Sequence, residues 1–318
     1  MKAAVYTEYG KPEVVQIKDV KKPVPQDNEV IVKVNATTVT AGDWRMRAGN
    51  PFVIRMYNGL FKIKRTVLGH EFSGVVDSVG KDVVQFKKGD SIFGTASKNA
   101  GAHAEYVAVS ADGALVHKPA NIRDEDAAAL PVGASTALYF LQKANIKPGQ
   151  KVLIYGASGS VGTYAVQLAK YFNAEVTGVC SQKNAELVRS LGADKVIDYQ
   201  KEDFTANGEE YDVIFDAVGK ASFDKSRNAL KDKGVYLTVG MDVNFMLHSV
   251  MNAVTGNYKL ISGVTKLTAE ELYFLTNLME DGTLKPVIDR TYSLSDIQFA
   301  HKHAETGHKR GNIVIVNG

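Results

Sequence analysis

The sequence predicts an α/β chain, a doubly wound parallel sheet set within a second, mostly-β domain. Three observations lead there. Residues 1 to about 121 hold short Val-rich runs, alternating or continuously apolar, that Gly and Pro punctuate. From about 122 to 283, strand-like runs alternate with helical periodicity, the pattern of a parallel sheet with crossover helices. After Gly282 the texture changes again and ends on a strand-like run, 312–316, with no helix of its own. That run can return to the first domain, so the expected domains are 1–121 with 284–318, and an inserted 122–283.

The expected strands of the first part are 2–6, 29–35, 71–80 and 104–109, closed by Gly10-Lys11-Pro12, Gly89-Asp90 and Lys118-Pro119. In the second part, 151–156 is a short apolar run suited to burial on both faces. The helix expected over 161–171 places Val161, Ala165, Leu168 and Ala169 on one side. Strands follow at 175–179, 195–198, 211–219, 234–240 and 259–264, with a helix at 185–192 closed by Gly192. Thr268 and Glu271 form a capping-box pattern opening a helix through Met279, and a short helix is expected over 295–306.

Composition narrows the function. The 318 residues carry 38 Lys and Arg against 35 Asp and Glu, a net charge of +3, which gives no general case for a nucleic-acid binder. Cys180 is the single cysteine, which excludes an intrachain disulfide framework, a multi-Cys zinc site and a Cys-ligated iron–sulfur cluster. The first residues break into charge and Gly/Pro too early for a signal-peptide core, and no apolar run approaches the roughly 18 residues of a membrane span. A cytoplasmic protein is expected.

The stretch 151–170 is the most informative. A buried strand enters Gly156-Ala157-Ser158-Gly159-Ser160-Val161-Gly162, and a helix follows at once. From Ala157 this reads A-x-G-x-x-G, a dinucleotide fingerprint with Ala at its first position. Gly159 admits a pyrophosphate close to the backbone, Gly162 lets the helix pack on the strand, and the helix N-terminus stabilises the anion. NAD binders place Asp or Glu about 20 residues on, to bond the ribose 2′-OH. Here no acid lies between Val176 and Ala185; Ser181 and Lys183 stand there instead, a donor and a cation suited to a 2′-phosphate. NADPH is therefore the expected cofactor, with a solvated helix-start lysine as the plainer reading of Lys183.

The chain resembles the zinc-free branch of the medium-chain dehydrogenase/reductases, the quinone oxidoreductases and enone (alkenal) reductases. The resemblance rests on 35–49, 68–80, 89–94, 101–109, 127–138, 156–162, 191–199 and 311–316, and spans nearly the whole length. It implies a GroES-like β domain plus a Rossmann domain, with the active site between them. It also implies that Thr136 lies near the nicotinamide, Tyr199 faces the adenosine end, and Val218, Gly219, Val239 and Gly240 line the cofactor cleft. Lys309 or Arg310 is a further candidate for the phosphate end. Zinc-dependent relatives carry a catalytic Cys where this chain has Thr40, and a His–Glu pair that survives as His70-Glu71. His70 alone cannot hold Zn²⁺, so no metal is expected, and His70 reads as a hydrogen-bonded structural residue.

The same resemblance turns the loop after Thr40 toward the nicotinamide, which makes Thr40, Trp44 and Arg45 the substrate-pocket candidates. Thr40 and Arg45 are possible donors to a substrate oxygen; Trp44 reads equally as a pocket wall or a loop anchor. No catalytic acid is assigned. His301, His303 and His308 read as residues of a surface helix rather than a metal cluster. Tyr139 and Lys143 have the Tyr-x-x-x-Lys spacing of short-chain reductases but precede the glycine loop, so they read as part of a packed helix. Segment 51–65, apolar and basic, is read as a packed surface loop, a substrate lid, or a membrane- or partner-facing loop.

The expected activity is NADPH-dependent reduction of the activated C=C bond of α,β-unsaturated ketones or aldehydes. Quinone reduction is the alternative on the same scaffold; an NADPH-binding protein with little turnover is the alternative from another class. The expected partner is a small conjugated carbonyl or quinone. A homodimer through the Rossmann sheet edge, near 234–240 or 259–264, is the expected assembly.

Overall fold

The computed structural model describes residues 1–96, 100–240, 245 and 256–317. The chain divides into two compact units: Met1–Val132 with Leu267–Glu280 and Pro286–Gly318, and Gly133–Lys266 with Asp281–Lys285. Among the described residues no helix is long and apolar enough to cross a membrane.

The first unit is built on a seven-stranded sheet in the order Ile288–Ser293, Asn312–Val316, Glu29–Thr38, Glu71–Val79, Ser91–Thr95, Leu115–His117, with Tyr106–Ser110 pairing alongside Glu29–Thr38. A two-stranded antiparallel ribbon, Lys2–Val5 with Gln16–Asp19, is joined to it by bridges from Ala3 to Ala104 and Val5 to Val67. The closing strand does return to this unit, pairing antiparallel with Glu29–Thr38 through Val314 and Thr38. Val30, Val32 and Val34 point into one core with Phe72, Ile92 and Val107, while Ile313 and Ile315 enter another with Val39, Leu68 and Ile297.

The domain limits differ from the expected 121/122 and 283/284. Residues 122–132 belong to the first unit because the helix Asp124–Ala129 lays buried Ala128 and Ala129 on Ala36 and Val314. Asp124 ties it to the sheet by accepting from Ser73 Oγ at 2.6 Å and Asn35 Nδ2 at 3.1 Å. The helix Ala269–Glu280 also belongs there, packing against Leu115–His117. Its N-terminus is the expected capping box: Glu271 N–H donates to Thr268 Oγ1 at 3.2 Å, and Thr268 N–H donates to Glu271 Oε2 at 3.1 Å.

The second unit holds a six-stranded parallel sheet in the order Lys195–Asp198, Glu175–Cys180, Lys151–Tyr155, Tyr211–Asp216, Leu230–Thr238, Lys259–Ser262. In chain order this is 3-2-1-4-5-6, the Rossmann order, with its reversal between the strands 151–155 and 211–216. The helix Ser160–Tyr171 buries the expected Ala165, Leu168 and Ala169 but only half-buries Val161, and it is buried on all sides over 162–169 rather than on one face. One expectation needs correction. Leu230–Thr238 is paired on both sides, so 234–240 is no edge; among the described residues Lys259–Ser262 is the edge strand at that end.

Candidate functional site

Within the second unit, residues on five chain segments gather at the carboxyl ends of the parallel strands. Gly156–Gly162 follows Lys151–Tyr155, Ser181–Asn184 follows Glu175–Cys180, and Tyr199 follows Lys195–Asp198. Val218 and Gly219 follow Tyr211–Asp216, and Val239 and Gly240 follow Leu230–Thr238. This end of the sheet, at the strand-order reversal, is where open α/β sheets bind ligands.

The glycine loop is held from both sides. Gly156 N–H and Ala157 N–H both donate to Val179 O at 3.0 Å. Gly156 takes φ +78, a left-handed conformation that favours glycine, and a Cβ there would come within 2.5 Å of Val218 Cγ1. A Cβ on Gly162 would lie 2.2 Å from Gly156 O and 2.8 Å from Ala157 Cα, so the helix seats directly on the loop. Gly159 is the N-cap and supplies no side-chain cap, which suits the helix start to an anion.

The opposite wall is organised by Asp216, which the sequence reading does not single out. Its buried carboxylate accepts from Val218 N–H at 3.1 Å, Gly219 N–H at 2.9 Å and Ala221 N–H at 2.9 Å. Burial raises its pKa, and these amides oppose the rise. The turn so formed brings Gly219 against Gly240, where a Cβ on Gly219 would meet Gly240 Cα at 2.9 Å.

After the strand Glu175–Cys180, Ser181 is buried and Lys183 exposed. Asn184, also missed, donates from Nδ2 to Ser158 Oγ at 3.0 Å, leaving its buried Oδ1 without a protein partner. Tyr199 is 45% exposed, with its N–H 3.3 Å from Cys180 O. Asp198 pairs in register with Cys180, and its Oδ1 accepts from Gln200 N–H at 3.2 Å. Burial pushes the Cys180 thiol up to about 11, which makes it an inert structural cysteine. Thr136 lies half-buried on the helix Pro131–Ala144. The same helix carries Tyr139 and Lys143, whose ammonium stands 5.7 Å from the Tyr139 ring. The residues of this unit fit a dinucleotide: a cradle that side chains would fill, an uncapped helix start, and an orphaned buried acceptor beside Ser158.

In the first unit, residues 41–48 form a helix rather than the expected loop. Thr40 is its N-cap and Asp43 its capping partner. The Thr40 hydroxyl donates to Asp43 Oδ2 at 2.6 Å and accepts from Asp43 N–H at 3.2 Å. Its proton is thus engaged within the cap, which argues against Thr40 as donor to a substrate oxygen. Asp43, fully buried, also accepts from Thr40 N–H at 2.8 Å, Gly69 N–H at 3.0 Å and His70 Nδ1 at 2.8 Å. Burial alone would raise the Asp43 pKa, yet the His70 charge and hydrogen bond hold it well below the usual carboxylate range. Burial likewise disfavours a charged His70, and Asp43 overrides it and raises the pKa. Trp44 packs half-buried against the core around Val39 and Leu68. Exposed Arg45 lies 5.4 Å from its ring.

Glu71 is buried, bonded by the Thr38 hydroxyl and by Val132 N–H at 2.7 Å, and burial pushes its pKa up to about 7. With Thr40 at the cysteine position and the His70 and Glu71 contacts taken, these residues do not fit zinc. Among the described residues no group of three or more His, Cys, Asp and Glu could hold a metal. His301 corrects the surface-helix reading: it is fully buried, edge-on to His103 at 5.7 Å, with neither ring nitrogen hydrogen-bonded. His303 instead pairs with Asp289 at 3.1 Å. Lys309 donates to Gly311 O, and burial lowers its amine to about 8; Arg310 Nε reaches Asp289 at 3.4 Å.

Residues 26–120 match the alcohol dehydrogenase GroES-like domain family, and residues 191–315 the zinc-binding dehydrogenase family. The chain is 33% identical to the chloroplast envelope quinone oxidoreductase homolog of Arabidopsis thaliana over 92% of this chain and 91% of that protein. It is 32% identical to the NADPH-dependent alkenal/one oxidoreductase of the same plant, over 99% of this chain and 79% of that one. The quinone oxidoreductase of Coxiella burnetii superposes with a TM-score of 0.92 at 32% identity, covering 99% of both chains. These likenesses and the Rossmann sheet define a medium-chain dehydrogenase/reductase. The chain belongs to that family, in its zinc-free branch of quinone oxidoreductases and enone reductases.

Proposed function

We propose that this oxidoreductase uses NADPH to reduce the activated C=C bond of α,β-unsaturated ketones or aldehydes, without zinc. The observation that carries the cofactor choice is the end of the strand Glu175–Cys180, where Ser181 and Lys183 stand in place of a carboxylate. The uncapped start of the helix Ser160–Tyr171 holds the pyrophosphate, Ser181 and Lys183 hold the 2′-phosphate, and Tyr199 borders the adenosine. The Asp216-set turn presents Val218 and Gly219, which with Val239 and Gly240 line the cofactor cleft, and Thr136 lies near the nicotinamide. When bound, NADPH supplies the hydride, delivered to the β-carbon of a conjugated carbonyl. Such a substrate delocalises its own developing charge, which suits a site whose residues do not fit a Lewis-acidic metal. Trp44 and Arg45 are the substrate-side residues proposed from the first unit. A homodimer through the edge strand Lys259–Ser262 is the proposed assembly.

Paired titrations with NADPH and NADH test the cofactor assignment, before and after Lys183→Glu. NADPH is expected to bind more tightly, and the substitution to weaken it about 10- to 100-fold while sparing NADH. Equal affinities in the unmodified protein would refute the assignment. Quinone reduction is the second reading, favoured by the Coxiella burnetii likeness. Deuteride from labelled nicotinamide C4 at the β-carbon of a saturated product supports enone reduction. Inert enones with rapid quinone turnover would establish the second reading.

A further inference from the structure

Segment 51–65 inverts the usual economy of a surface loop. Its polar groups turn inward. Buried Asn58 donates from Nδ2 to Tyr6 Oη at 2.7 Å and accepts from Arg65 N–H at 3.1 Å, while Lys64 N–H donates to Asn58 O at 2.8 Å. Tyr9 Oη donates to Gly59 O at 2.8 Å, Arg55 Nε to Gly49 O at 3.1 Å, and Ile63 enters the core. Its apolar side chains turn outward: Phe52, Val53, Met56, Tyr57, Leu60 and Phe61 are all exposed, Phe61 at 98%. Six of the fourteen exposed large hydrophobic residues in the described chain thus fall within ten positions, a concentration that scattered surface apolar residues do not produce.

Along the chain the segment carries charge of one sign. From Trp44 to His70 there is no Asp or Glu, while Arg45, Arg47, Arg55, Lys62, Lys64 and Arg65 are basic; of these only Arg47 is buried. A loop fixed by internal hydrogen bonds, presenting aromatic residues beside Lys and Arg, has the composition of an interfacial anchor on anionic lipid. A second copy of the chain is a poorer occupant, because a two-fold contact would set the same basic rim against itself.

We infer that residues 52–65 dock the protein on the surface of an anionic phospholipid bilayer, with Phe52, Leu60 and Phe61 entering the headgroup boundary and Lys62 and Lys64 facing the lipid charge. The inference stands independently of the cofactor and substrate assignments.

Flotation of the full-length protein with vesicles tests it, using equal parts phosphatidylglycerol and phosphatidylcholine against phosphatidylcholine alone. Binding is expected to the anionic vesicles only and to fall with added salt. Lys62→Glu and Lys64→Glu are each expected to weaken it about fivefold or more, and Phe61→Ser about tenfold. Phe299→Ser removes an exposed aromatic residue outside the patch and should leave binding unchanged; thermal melting should confirm that all four variants stay folded. Absence of binding to anionic vesicles would overturn the inference. So would equal binding by Phe61→Ser, or a dimer in solution that Phe61→Ser dissociates without any lipid binding. A raised KM in Phe61→Ser with vesicle binding intact would assign the segment to substrate entry instead.

Discussion

Gly159 and Gly162 lie three residues apart in one loop, and their surroundings predict opposite consequences for filling them. Gly159 has φ −82 and ψ 176, extended backbone that any residue adopts, and a Cβ there would stand 3.4 Å from Gly156 O. Gly159→Val should therefore leave the fold intact while setting a branched side chain where the pyrophosphate is proposed to lie. NADPH affinity should drop at least 100-fold, equivalent to about 2.7 kcal/mol or more. At Gly162 even Ala is excluded, because the added carbon would sit 2.2 Å from a backbone oxygen that cannot rotate away. Opening that contact by about 1 Å moves the helix against its strand, an overpacking cost near 3 kcal/mol, offset by roughly 1 kcal/mol of helix propensity. Gly162→Ala should then lose about 2 kcal/mol and several degrees of melting temperature. Thermal melts and NADPH fluorescence titrations on both variants separate the effects. A Gly162→Ala protein with unchanged melting temperature, or a folded Gly159→Val protein with unchanged NADPH affinity, would refute the reasoning.

Three further outcomes are expected. His301 is neutral and buried, with burial lowering its pKa from 6.5 to about 3 and the His103 and Arg47 charges adding to the shift. A folded pKa below the unfolded one gives stability that is fully present above pH 6.5 and lost as pH falls toward 3. His301→Leu should accordingly flatten the acid limb by up to about 1.4 kcal/mol per pH unit, read by urea unfolding at pH 7, 6 and 5; identical slopes would count against it. Thr40→Val removes the cap of helix 41–48 and should cost about 1–2 kcal/mol of stability with less than a tenfold change in rate. A fall of 10²–10³ in rate would restore Thr40 as a donor to substrate oxygen. Purified protein should hold well below one zinc per chain and keep its rate in a chelator; stoichiometric zinc whose removal abolishes activity would contradict the reading of Thr40, His70 and Glu71.

The parallel sheet was legible because its strands are buried on both faces and written as short apolar runs, as in Val152, Leu153 and Ile154, each fully buried. The return of the last strand was legible from the change of texture after Gly282; the helix Ile297–Glu305 before it connects it to its parallel neighbour Ile288–Ser293. The helix Ala41–Ala48 was not, since AGDWRMRA has no strong apolar stripe and its stability rests on the Thr40–Asp43 cap. That signal was present: Thr40-Ala-Gly-Asp43 has Thr and an acid at capping-box spacing. The domain limit at 132 escaped because Ala127, Ala128 and Ala129 suit any packed helix, and only the sheet they lie on decides which unit owns them.

The backbone of the candidate site was readable and its buried polar groups were not, for a physical reason. Gly156, Gly162 and the helix after them are local: strand, turn and helix are contiguous, so their spacing carries the geometry. Asp216, Asn184, Glu71 and Asp43 act through partners set by the fold or by the turn they close. Glu71 illustrates the distant case. Its sequence neighbours suggest a vestige of metal ligation, yet its oxygens meet Thr38, 33 residues back, and the Val132 amide, 61 residues on. Burial pushes its pKa up to about 7, while the Thr38 and Val132 donors oppose the rise by favouring the carboxylate. His70-Glu71 here joins elements of the first unit, Asp43 holding the histidine and the Val132 amide the glutamate, contacts that need no metal.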